Sequence, residues 1–116
     1  MLESTVYSTL NSQQIVPLRQ MLQDGGVIVD VRTPCEFIGG HITGAWNCPA
    51  EDLNVYLDII RKWDKPVIVC SADDRRSFHA ARRLKQLGIA AFDGGSWDEL
   101  QEWIGKNAGL RDLNGH

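Results

Sequence analysis

Apolar and polar positions fall into two periods along this chain. Val27 to Val31 is an apolar run interrupted only by Asp30, and Val67 to Cys70, after Pro66, is a second. Such runs suit strands covered on both faces, as in parallel sheets. Ala45 to Cys48, stopped by Pro49, and Ile89 to Phe92 predict two more strands, and Val6 to Thr9 a short edge strand. Between these runs the spacing turns helical. Ile15, Leu18, Met21 and Leu22 give one apolar face to a helix capped by Asn11 or Ser12 and ended by Asp24-Gly25-Gly26. Pro17 inside it predicts a kink or the true first turn. Thr33-Pro34 turns the chain into a short helix, Cys35 to Ile38, which Gly39-Gly40 breaks. Leu53 to Ile60 has helical spacing, Ser77 to Leu87 is amphipathic and ends at Gly88, and Trp97 to Ile104 closes the chain after a tight turn at Gly94-Gly95. Strands alternating with helices predict an α/β class with a mostly parallel sheet of about five strands. Ligand sites in such sheets lie at the carboxyl ends of the strands. Two strand ends there carry polar residues: Asp30 to Arg32, and Cys70 to Ser77.

The length of 116 residues fits a single domain over 1–116 that buries a core without staples. A net charge of −3 argues against nucleic acid or acidic membranes as partners, although Arg75, Arg76, Arg82 and Arg83 cluster locally. Three cysteines, Cys35, Cys48 and Cys70, form neither a disulfide framework nor a metal-ligand spacing. Reduced thiols in a cytoplasmic compartment are the expectation. The N-terminus shows no signal-peptide pattern, and no apolar run is long enough to span a membrane.

The stretch VIVCSADDRRSFHAARRL concentrates the candidate chemistry. Cys70 ends an apolar strand and precedes a helix. Backbone N–H groups of the connecting loop, with the helix macrodipole, would lower a thiol pKa and produce a nucleophile. The competing reading is a small buried hydrophobe, a common role for free cysteine.

The segment VIVDVRTPCEFIGGHITGAWNCP resembles the first signature of the rhodanese-like domain family, through Asp30, Arg32, Glu36, Phe37, Gly40, His41, Ile42, Gly44, Ala45, Asn47 and Pro49. PVIVC resembles the strand that ends in the family's nucleophile, and DGGSWDELQEW, more loosely, the turn before its last helix, although the usual tryptophan spacing is not kept. The resemblance implies a three-layer α/β/α fold, with Asp30 bonding backbone or arginine groups that support the active loop. Arg32 is expected as a salt-bridge partner of Glu36, four residues on. His41 reads as a hydrogen-bonded turn residue, Cys48 as core and Cys35 as exposed. Gly40 and Gly44 suit unusual backbone dihedrals.

Common sulfurtransferases of the family read Cys, four residues, Arg, then often Ser, with a small pair and a leucine on the helix that follows. Starting from Arg76-Ser77 puts Ala80-Ala81 and Leu84 at those helix positions; starting from Arg75 puts the bulky His79 at a tight helix–sheet contact. The first register is preferred. With Cys70 as nucleophile it gives a loop one residue longer: Ser71, Ala72, Asp73, Asp74, Arg75, then Arg76 and Ser77.

The resemblance therefore implies a sulfurtransferase in which Cys70 takes sulfane sulfur from a small anionic donor, of thiosulfate or polysulfide type. It passes that sulfur from a persulfide to a small-molecule or protein thiol, with no other cofactor and no metal. Two alternatives stay open. One is a catalytically inactive regulatory module. The other is a phosphatase or arsenate-reductase activity, since Cys-x5-Arg loops encircle oxyanions in related proteins. Asp73 and Asp74 count against the latter: at about 4 Å and an effective dielectric near 20, each carboxylate aimed at a bound dianion would cost a few kcal/mol.

Overall fold

The computed structural model describes residues 12–107. Its elements, in chain order, are α1 (Ser12–Gln23), β1 (Val27–Asp30), α2 (Pro34–Ile38), β2 (Trp46–Asn47), a 3-10 turn (Ala50–Asp52), α3 (Leu53–Trp63), β3 (Val67–Ser71), α4 (Asp74–Gln86), β4 (Ala91–Ser96) and α5 (Trp97–Lys106). Four strands pair in the order β2-β1-β3-β4, all parallel. The fifth expected strand, Val6 to Thr9, lies outside the described residues, as does the Asn11 cap. α1 runs through Pro17 rather than starting at it.

Strand alternation sorts the apolar residues into two layers. Val29, Val67 and Val69 join Leu53, Ile60, Ala80, Ala81 and Leu84 from α3 and α4. Ile28, Ile68 and Cys70 join Leu18 and Leu22 from α1 and Leu100 and Trp103 from α5. The sheet is thus covered on both faces, which explains its near-continuous apolar runs.

Two elements depart from expectation at the carboxyl edge. α4 starts at Asp74, one turn before the expected Ser77, because the Asp73 side chain caps it by accepting the Arg76 N–H at 2.9 Å. Asp74 then lies in the first turn, where the macrodipole favours a carboxylate. β4 runs on to Ser96 through Gly94-Gly95 instead of turning there. Gly94 is buried against β3: a Cβ on it would lie 2.9 Å from both Ile68 Cγ2 and the Val69 carbonyl oxygen. Gly95, at φ +80°, takes up an irregularity in the β3–β4 register between Val69 and Ser71.

Candidate functional site

The carboxyl ends of β1 and β3 lie side by side, with Asp30 opposite Cys70. Asp30 is fully buried and Arg32 nearly so. The Asp30 carboxylate accepts the Arg32 backbone N–H at 3.0 Å, Nε–H at 3.0 and 3.1 Å, and Nη2–H at 2.7 Å. The same guanidinium donates to the carbonyl oxygens of Glu36 at 3.3 Å and Gly40 at 2.7 Å, and lies 4.5 Å from the centre of the Trp97 ring. Hydrogen bonding to Asp30 outweighs desolvation and pushes the Arg32 pKa further up. Its carboxylate partner is therefore Asp30, not the expected Glu36. Glu36 is committed elsewhere: its side chain accepts the Thr33 N–H and hydroxyl, while the Thr33 hydroxyl accepts the Glu36 N–H, closing a capping box on α2. Those bonds hold the Glu36 carboxyl below its ordinary value.

Asn47 ties β2 to this corner by donating to the Asp30 and Arg32 carbonyls at 3.0 and 2.9 Å. His41 is a hydrogen-bonded turn residue, with Nδ1 2.8 Å from the Phe37 carbonyl and its ring stacked on Phe37. Gly44 has φ +86°, and a Cβ on Gly40 would sit 3.3 Å from the Trp97 ring. Cys35 is exposed and Cys48 buried, its thiol pushed up to about 11 by burial.

Cys70 is not at the mouth of a loop. Its side chain is fully buried in the layer beneath α1 and α5, among Leu18, Ile28, Ile42 and Leu100. Burial, and secondarily the negative charge of Asp30, pushes its thiol pKa strongly up, while Arg32 offsets only part of this. The expectation was a thiolate stabilised by the following helix; at this position burial favours the neutral thiol.

β3 continues past Cys70 to Ser71, which pairs with Ser96 on β4 and is itself fully buried. Among the described residues, Ser71 Oγ is the buried side-chain polar atom that has no hydrogen-bond partner. Only Ala72 and Asp73 connect β3 to α4. Ala72, Asp73, Asp74, Arg75 and Arg76 are exposed. Arg76 Nε stands 3.8 Å from Asp73 Oδ2. Ser77, Ala80, Ala81 and Leu84 are buried while His79 is exposed, which is the helix register that starts from Arg76-Ser77.

Asp93 is the site residue that sequence reasoning missed. Its Oδ1 accepts the Ser77 hydroxyl at 2.6 Å and the Gly95 N–H at 3.0 Å, joining α4 to the irregular part of β4. Its place just before Gly94-Gly95 was the available signal. Among the described residues, no group of three or more His, Cys, Asp or Glu side chains is placed to hold a metal ion, and no helix is long and apolar enough to cross a membrane.

The rhodanese-like domain family matches residues 16–105, and the chain belongs to that family. Its relatives include YqhL of Bacillus subtilis (strain 168), 40% identical over 82 residues, which are 68% of this chain and 61% of that protein. A Synechocystis (strain ATCC 27184 / PCC 6803 / Kazusa) protein, slr1261, is 34% identical over 105 residues, 88% of this chain and 54% of that one. The chain thus spans little more than half the length of these relatives. The crystal structure of a rhodanese-related protein from Thermoplasma volcanium is similar with a TM-score of 0.61 and 31% identity, covering 78% of this chain and 87% of that one.

Proposed function

We propose that this chain is a rhodanese-like recognition module that does not carry sulfur on Cys70, and that Ser71 stands at the family's nucleophile position. The observation that carries this reading is the placement of two consecutive residues: Cys70 packs into the core, and Ser71 ends the strand. The helix register supports it. Sulfurtransferases of the family place four residues between nucleophile and arginine, and counting back from Arg76 in that way reaches Ser71 without lengthening the loop.

The chemistry follows from the substitution. Sulfur transfer begins with a thiolate attacking the outer sulfur of the donor, forming the cysteine S–S bond as the donor's S–S bond breaks. A serine hydroxyl is far less acidic than a thiol and forms no persulfide. Cys70 is chemically competent, but reaching it requires lifting α1 and α5 from the sheet and ionising a thiol whose surroundings favour the neutral form. Nor does the connection favour a phosphatase. The Arg76 N–H, in the first turn of α4, is taken by the Asp73 side chain, which puts a carboxylate where a bound oxyanion would need a donor.

Family membership favours one second reading, a sulfurtransferase that works through transient exposure of Cys70 to a small sulfur-containing anion and a thiol acceptor. Steady-state transfer from thiosulfate to cyanide separates the two. The module reading expects wild-type transfer at the uncatalysed level and unchanged in Cys70→Ala; the second expects turnover that Cys70→Ala abolishes.

A further inference from the structure

A cleft of about 290 Å³ lies between the start of α3 and the outer face of α4, lined by Ala50, Leu53, Arg76, His79, Ala80 and Arg83. Leu53 and Ala80 are buried and form its apolar floor, while Arg76, His79 and Arg83 are exposed around its rim. Helical spacing brings the three basic residues to one side of α4, at i, i+3 and i+7. Asn54 on α3 accepts from Arg83 Nη2 at 3.2 Å, which fixes that rim. Arg76 is only loosely engaged by Asp73, at 3.8 Å. Two comparable clefts elsewhere on the molecule include Asp64 and Asp93 in their linings, whereas this lining has no carboxylate.

The volume is at the lower end for a small-molecule site and leaves room for one apolar side chain. An apolar floor under a cationic rim selects an apolar group flanked by negative charge, since rim charges steer and orient a partner while the buried contact anchors it. We propose that this cleft docks an acidic peptide segment of a partner protein. One leucine-sized side chain of that segment enters between Leu53 and Ala80, and its flanking carboxylates meet Arg76 and Arg83. No nucleophile is required, so occupancy of the cleft is independent of the chemistry at positions 70 and 71.

The test is amide chemical-shift titration of the full chain with acetyl-Asp-Glu-Leu-Glu-Asp-amide, a Leu→Ser version of it, and free octanoate. The proposal expects saturable shifts at Leu53, His79 and Ala80 with the leucine peptide. Affinity should fall about ten-fold or more with the serine peptide and again in Arg83→Glu, and should weaken with added salt. Ala50→Trp, which fills the mouth from an exposed position, should also abolish those shifts while the protein stays folded by circular dichroism. Absent shifts at millimolar peptide, equal binding of the serine peptide, unchanged binding in Arg83→Glu, or binding of octanoate but not of the peptide would each overturn it.

Discussion

Cys70 and Ser71 are neighbours on β3, yet they face opposite layers: the thiol points under α1 and α5, and the hydroxyl lies at the strand's last position with no hydrogen-bond partner among the described residues. This relationship bears on which residue stands at the family's nucleophile position, and both side chains are fully buried. It also predicts thiol reactivity. Under native conditions an aromatic disulfide reagent should titrate Cys35 promptly and leave Cys48 and Cys70 protected until the protein unfolds. Prompt reaction of two thiols would contradict the packing.

The same burial sets a pH dependence. Both buried thiols have pKa values raised above the ordinary 9.0, so the folded state keeps their protons where the unfolded chain releases them. Stability is therefore full below about pH 9 and falls as pH rises past it. Urea unfolding of wild type and of Cys48→Ala/Cys70→Ala, from pH 7 to 10.5, should show a steeper alkaline loss in the wild type.

Glu36 acts at the other end of the scale. Its folded pKa is lowered from 4.5 by the Thr33 bonds, so its contribution is present above that value and is lost as pH falls through the folded one. Glu36→Gln keeps a side chain that can close the capping box and removes the titration. Its acid unfolding limb is expected to be flatter than that of the wild type, by thermal melts between pH 3 and 6.

Asp30 and Arg32 form a buried pair whose loss leaves a charge without its partner. Asp30→Asn should cost about 3–5 kcal/mol, the usual penalty for breaking such a pair. Arg32→Lys should also destabilise, because one ammonium cannot reach Asp30, the two carbonyls and the Trp97 face together. Denaturant midpoints at neutral pH check both, and a change under about 1 kcal/mol would remove the pair from its structural role.

Ser71→Cys places a thiol at the last position of β3, next to the exposed Ala72-Asp73 connection. After polysulfide treatment, peptide mapping should find persulfide at position 71 and none at Cys70. Sulfur uptake at Cys70 alone would reverse the assignment.

Much of this was legible in the sequence. The apolar runs specified the parallel strands, and the small pair Ala80-Ala81 fixed the register of α4, because only small residues pack tightly on the sheet. What misled was the end of β3. A cysteine after an apolar run reads as a strand end, but the last strand residue is set by pairing between Ser71 and Ser96, a long-range contact with no local signal. Asp73 and Asp74, out of place in an anion-binding loop, are explained once α4 is seen to start there: one caps the helix and the other sits in its first turn. The Arg32 partner was misassigned for a similar reason. Four-residue spacing suggested Glu36, while the fold turned Arg32 back onto Asp30 and gave Glu36 to Thr33.

The most direct test is site-resolved mass spectrometry of the native wild-type protein after thiosulfate or polysulfide, with cyanide-dependent turnover measured on the same sample. The account predicts no persulfide on Cys70 and turnover at the uncatalysed level. Stoichiometric persulfide on Cys70, discharged by cyanide and lost in Cys70→Ala, would contradict it.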